Sequence, residues 1–215
     1  ERVGIKPSSI AAILVTHEHG DHISGVGPFT RKHHIQVHMT RGSWVHYRMG
    51  HIPQHHLFCC HTPFTIVELT ITPFPVPHDA REACQFTFQS NGKKLGMLTD
   101  TGMITPHIEE SLDGCDALIL ETNHDPQMLR EGSYPLSLQA RVGGDLGHLT
   151  NQQSAALLEK IDTSHLQHLV LAHLSEQNNL PKHAITALSG AINRPEEQIV
   201  VADQKLGFGW CEISA

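Results

Sequence analysis

Ile10-Ala-Ala-Ile-Leu-Val15 runs without interruption into Thr16-His17-Glu18-His19-Gly20-Asp21-His22. The apolar half reads as a buried strand, and the polar half, with its glycine, as the turn that ends it. Within six residues the three imidazoles of His17, His19 and His22 and the Asp21 carboxylate are more donors than one catalytic metal with an open position can use. Two metals fit that count better. In extended chain His17 and His19 point to one side, and a turn at Gly20 redirects Asp21 and His22 towards a second centre.

A strand that stops at a ligand-type side chain recurs along the chain. Alternation over 65–74 predicts a half-buried strand, after which Pro73, Pro75 and Pro77 break regular pairing just before His78. Segments 84–88 and 94–98 read as a hairpin about Ser90-Asn91-Gly92, and the second strand runs into Thr99-Asp100-Thr101-Gly102. Strands over 117–120 and 168–172 stop at Glu121-Thr122-Asn123-His124 and at His173. Thr150-Asn151-Gln152-Gln153 has the form of a capping box, which places His148 just before a helix. Pro181 opens a helix over 181–192, and 198–201 and 207–213 close the chain as strands. Between 31 and 62 the pattern is irregular and rich in His, with a short strand over 35–39 and helix over 42–49. With no repeat and no linker, residues 1–215 read as one domain.

Composition bounds the chemistry. The net charge of −7, from 22 acidic and 15 basic residues, gives no overall field for nonspecific attraction to nucleic acid or anionic lipid, so a polyanion must be captured locally. No apolar run approaches the roughly 20 residues of a bilayer span. Five cysteines, odd in number and without a C-x-x-C pair, argue against a disulfide framework and for a reducing cytoplasm. Histidine, at 19 residues, outnumbers the 15 Lys and Arg combined, and neutral imidazole is the commonest metal-ligating side chain. His51, His55, His56, Cys59, Cys60 and His61 match no closed tetrahedral zinc pattern and read as a surface cap, with His33, His34, His38 and His46 as loop groups.

The His17-x-His19-x-Asp21-His22 motif, followed by single ligands at strand ends, resembles the metallo-β-lactamase-fold hydrolases over nearly the whole chain. The resemblance implies a four-layered αββα sandwich. It also implies one metal on His17, His19 and His78, a second on Asp21, His22 and His173, and Asp100 shared between them. Leu120-Glu121-Thr122-Asn123-His124-Asp125, Gly147-His148-Leu149-Thr150-Asn151 and Ala172-His173-Leu174-Ser175 with Asn178-Asn179 further resemble the YycJ/WalJ branch, bacterial cytosolic proteins assigned as 5′-to-3′ exonucleases. The Glu121 and His148 pair also resembles the motif of tRNA 3′-processing nucleases, in which a Glu orients the catalytic His. Members of the branch carry an N-terminal β-hairpin segment before the His-rich motif, whereas about fifteen residues precede it here. Either the chain is a fragment or it lacks strands that complete the first sheet.

The expected cofactors are therefore two divalent ions, zinc or manganese, either of which imidazole-carboxylate sites accept. Such a pair, offset by two carboxylates, leaves a positive site suited to phosphate esters and can activate water in line with the leaving oxygen. Asp21, His148 and Glu121 are the expected catalytic residues, with Asp21 orienting the water and His148 donating a proton or hydrogen bond. Arg141, in a glycine-flanked loop, and Asn178 and Asn179 are the expected substrate contacts. The expected partner is nucleic acid, DNA ahead of RNA, or a small phosphodiester. The rival functions are a same-fold hydrolase of a thioester, lactone or cyclic phosphodiester, and a non-catalytic metal-stabilised interaction module.

Overall fold

Strand β1 (Ala12–Leu14) carries the His-rich motif at its end, and it pairs in parallel with β2 (Gln36–Thr40). In this computed structural model, which describes residues 3–214 apart from the side chains of His46 and Tyr47, the chain divides into two compact units. The first is residues 3–75 with 79–85, and the second is 76–78 with 86–214.

In the first unit, α1 (Gly20–Ile23) and α2 (Val26–His33) carry the chain from β1 to β2, and α3 (His46–Met49) leads to β3 (His55–Phe58), which pairs in parallel with β2. Parallel pairing demands such crossovers. Val37 and Met39 of β2 are fully buried while Gln36 and His38 are not, the two-residue period of a strand with one core face. They pack with Val15, Ile23, Val26, Val45, Met49 and Ile52. His38 thus belongs to a strand rather than a loop, its ring stacked on His56 and Phe64. The single strand expected over 65–74 is two: β4 (Phe64–Ile66) and β5 (Leu69–Pro75) form an antiparallel hairpin. The reversal is made by Val67 at φ 55°. A β-branched residue in the left-handed region costs roughly 1–2 kcal/mol, and no Gly or Asn announces the turn.

The second unit holds a sheet in the order β10-β9-β8-β7-β6. Strands β6 (Cys84–Ser90) and β7 (Lys93–Leu98) form the expected hairpin, with Asn91 at φ 51° and Gly92 at φ 73°, the signs a two-residue type I′ turn requires. Thereafter β8 (Ala117–Glu121), β9 (His168–Ala172) and β10 (Ile199–Val201) add in parallel. The crossovers run through α4 (Pro106–Leu112), then α5 (Pro126–Glu131), α6 (Leu136–Val142) and α7 (Asn151–Lys160), then α8 (Pro181–Ile192). Thr150 and Gln153 form the capping box of α7, and α7 packs against α8. The strand expected over 207–213 is absent. Asp203 Oδ1 instead accepts from the backbone of Lys205 and Leu206, and only a bridge between Asp203 and Gly207 forms. No helix among the described residues is long and apolar enough to cross a membrane.

Register in this sheet positions the site. Leu98 lies beside Leu120, and Leu120 beside Leu171, so the carboxyl ends of β7, β8 and β9 finish side by side at Asp100, Glu121 and His173. Open parallel sheets bind ligands at that edge. Behind it, Gly96 admits no side chain: a Cβ there would lie 2.7 Å from Leu112 Cδ2 and 2.9 Å from Leu118 Cδ2, both buried. Gly96→Ala is expected to cost about 1–3 kcal/mol by overpacking, read as a lower midpoint of urea unfolding.

Candidate active site

Glu121 is fully buried at the end of β8. Its Oε1 accepts from His148 Nδ1 at 2.8 Å and from His173 Nδ1 at 2.9 Å, while Oε2 accepts from the backbone N–H of Thr101 and of Leu149, each at 3.2 Å. Burial by itself raises a carboxyl pKa, but the hydrogen bonds and the attraction of the two imidazoles prevail and hold Glu121 down to about 2. With both oxygens so engaged, Glu121 is a support rather than a ligand, and it turns Nε2 of each ring outward.

His173 Nε2 lies 3.4 Å from Asp100 Oδ1. Both residues occupy the left-handed region, at φ 58° and 55°, a conformation non-glycine residues adopt at a cost and one that clusters at functional sites. Asn123 Nδ2 donates to the carbonyl of His173 and holds that bend. Gly102 stands two residues beyond Asp100, and a Cβ on it would meet the Gly144 carbonyl oxygen at 2.4 Å. Glycine is needed there for the loop bearing His148 to close. The same Gly102 donates its N–H to Pro77, next to His78, and His78 Nδ1 lies 3.2 Å from the Gly147 carbonyl. Side-chain donor atoms of Asp100, Glu121, His148 and His173 all lie within 4.8 Å of one another, with Glu121 behind the other three. A cavity of about 320 Å³ opens beside them, lined by Asn123, Tyr134, Val142, His148, His173 and Ser175 among others.

In the other unit, His17 is buried, with ring centroids of His22 and His19 at 4.0 and 4.6 Å. Thr16 Oγ1 lies 3.1 Å from His17 Nδ1 and 3.2 Å from His22 Nδ1, a bridge that sequence reading missed. His19 is the N-cap of α1, so Asp21 and His22 fall in its single turn, and Asp21 stays exposed with Oδ2 3.6 Å from His22 Nε2. Imidazoles crowded together in this way, and carboxylates set beside imidazoles at the strand ends, are donor sets that fit divalent cations.

Arg141 sits in the last turn of α6, exposed, rather than in a loop. Asn178 and Asn179 are buried. Asn179 Nδ2 donates to the Thr122 carbonyl and to Asn151 Oδ1, while Asn151 donates back to Asn179 Oδ1. These amides brace the loop after β9, and neither faces solvent. Among the described residues, the histidines and cysteines of 51–61 form no metal-binding group.

Residues 2–174 match the family model described as Beta-lactamase superfamily domain. The chain belongs to that superfamily. It is 36% identical over 186 residues to exodeoxyribonuclease YycJ of Bacillus anthracis, an alignment covering 85% of this chain and 70% of that protein. It is 34% identical over 185 residues to exodeoxyribonuclease WalJ of Streptococcus pneumoniae, covering 83% and 69%. Among solved structures, the metallo-β-lactamase fold protein YhfI from Bacillus subtilis superposes with a TM-score of 0.74 at 15% identity, over 96% of this chain and 80% of that one. The protein has the metallo-β-lactamase fold, is YycJ/WalJ-like, and is a metal-dependent hydrolase.

Replacing the support should loosen what it supports. Glu121→Gln is expected to lower the affinity for added zinc by about 10–100-fold, measured by calorimetric titration of metal-stripped protein. Unaltered affinity would show that Glu121 does not orient ligands.

Proposed function

We propose that the protein hydrolyses phosphodiester bonds in DNA as a 5′-to-3′ exonuclease, with two divalent ions, zinc or manganese, bound within a single hydrolase domain. The ligand set of this reading is the one the family resemblance implies: His17, His19 and His78 for one ion, Asp21, His22 and His173 for the other, and Asp100 common to both. Bound there, the ions would supply Lewis acidity and a water acidic enough to attack near neutral pH. The exodeoxyribonuclease names of the relatives at 34–36% identity support the substrate class.

The observation that carries the reading is the hydrogen bond of His148 Nδ1 to the buried Glu121 carboxylate. It fixes the ring with Nδ1–H inward, so that the imidazolium, which carries its second proton on Nε2, passes that proton to the departing oxygen and is left as the neutral Nδ1–H ring. Asp21, exposed beside His22, orients the attacking water by accepting one of its hydrogen bonds. The cavity lined by Asn123, Tyr134 and Ser175 receives the strand, and Arg141, exposed on α6, neutralises phosphate.

Chelator is expected to abolish digestion of end-labelled oligonucleotides, and added zinc or manganese to restore it. His148→Ala is expected to lower turnover by about 10²–10⁴-fold, with metal content by mass spectrometry unaltered. Turnover equal to that of the unsubstituted protein would remove His148 from the mechanism, and labelled 3′ ends released first would reverse the polarity.

A further inference from the structure

A second cavity, of about 410 Å³, lies in the same unit between α5, α6 and the start of α7. It shares a wall with the one beside His148. Asn123, Val142 and His148 face the first cavity, and His124, Gly143 and Thr150, each one or two residues further along the same three segments, face the second. Its volume falls in the range of small-ligand sites. Leu129 and Leu136 make it apolar, and Arg130 is the one charged residue among its lining groups.

His124 is 1% exposed, and its Nδ1 is buried with no hydrogen-bond partner. Burial, the largest influence, pushes the imidazole down to about 4, against the pull of Glu121 and Asp125 and with a contribution from His148, so the ring is neutral at pH 7. A bare nitrogen is less costly to bury unpaired than an N–H, which favours the tautomer with hydrogen on Nε2. That atom faces the cavity wall at Gly143, where a Cβ would lie 3.9 Å from it. The pocket thus presents an uncharged donor against apolar walls, with a cation at its mouth.

We propose that this pocket is a nucleotide subsite, taking the base of the residue next to the scissile phosphate. The base lies against Leu129 and Leu136 and accepts a hydrogen bond from His124 Nε2, and Arg130 meets the adjoining phosphate. An uncharged donor suits a base carbonyl or ring nitrogen, whereas the anionic oxygen goes to the guanidinium. A base can enter only when unpaired and unstacked, so the subsite selects single-stranded or frayed ends. The assignment rests on the nuclease reading above.

Ala140 and Arg130 are exposed, so both can be exchanged without disturbing the core. The metal-loaded full chain would be tested as Ala140→Trp, which fills the pocket, Arg130→Gln, and Gly143→Ala, whose methyl would sit over His124. KM and kcat would be measured on a single-stranded decathymidylate and on bis(p-nitrophenyl) phosphate, which has no neighbouring nucleotide. Ala140→Trp is expected to raise KM for the oligomer at least tenfold, at least five times the shift seen with the reporter, and to erase any preference for single-stranded over blunt duplex ends. Oligomer KM values within twofold of the unsubstituted protein in all three variants, or parallel shifts on both substrates, would overturn the subsite alone. Hydrolysis of the reporter with the oligomer left intact by the unsubstituted protein would overturn the nuclease reading, and the subsite with it.

Discussion

One buried carboxylate organises the second unit. A charge with no access to water is costly unless it is paired and hydrogen-bonded, and Glu121 is stable as an anion because four donors converge on it. Those donors come from the end of β9, from the turn after β7 and from the loop before α7. Satisfying Glu121 therefore brings three separate segments to one point. The ring orientations of His148 and His173 follow from it, and so does the direction in which their outer nitrogens face.

Around that anion, parallel register does the remaining placement. Leu98, Leu120 and Leu171 are neighbours across β7, β8 and β9, and within two residues each strand reaches a side chain of the candidate site. Asp100 and His173 bend there through left-handed conformations, a strain maintained by the surrounding loop contacts. Backbone geometry thus sets the direction of these side chains, as sites built on rigid strand ends do. By the same logic, Thr16 holds His17 and His22, two of the three histidines of the motif after β1, through a single hydroxyl.

Much of this was legible because short-range signals happened to be strong. The Asn91-Gly92 hairpin, the Thr150 capping box and the helix behind Pro181 are each specified by local backbone chemistry, and each formed where its residues indicated. Val67 defeated the reading because a left-handed valine is a local cost that pairing between β4 and β5 offsets. The closing segment 207–213 had strand-like residues but formed no pairing beyond the Asp203–Gly207 bridge. Asn178 and Asn179 were expected as substrate contacts, yet both are buried: Asn179 Nδ2 donates to the Thr122 carbonyl and to Asn151 Oδ1, and Asn178 Nδ2 to Ser175 Oγ.

The sequence by itself showed the dense His/Asp motif after an apolar run, a local pattern, and the resemblance it carries implied the superfamily and the ligand side chains to be expected at the strand ends. Only the tertiary structure decided which groups support and which face outward. Glu121 became a saturated support, Thr16 a bridge and His124 a buried ring in a pocket wall, its Nδ1 without a hydrogen-bond partner. Burial and hydrogen-bond partners drawn from distant segments assign those roles, and neither quantity is a property of any stretch of chain read alone.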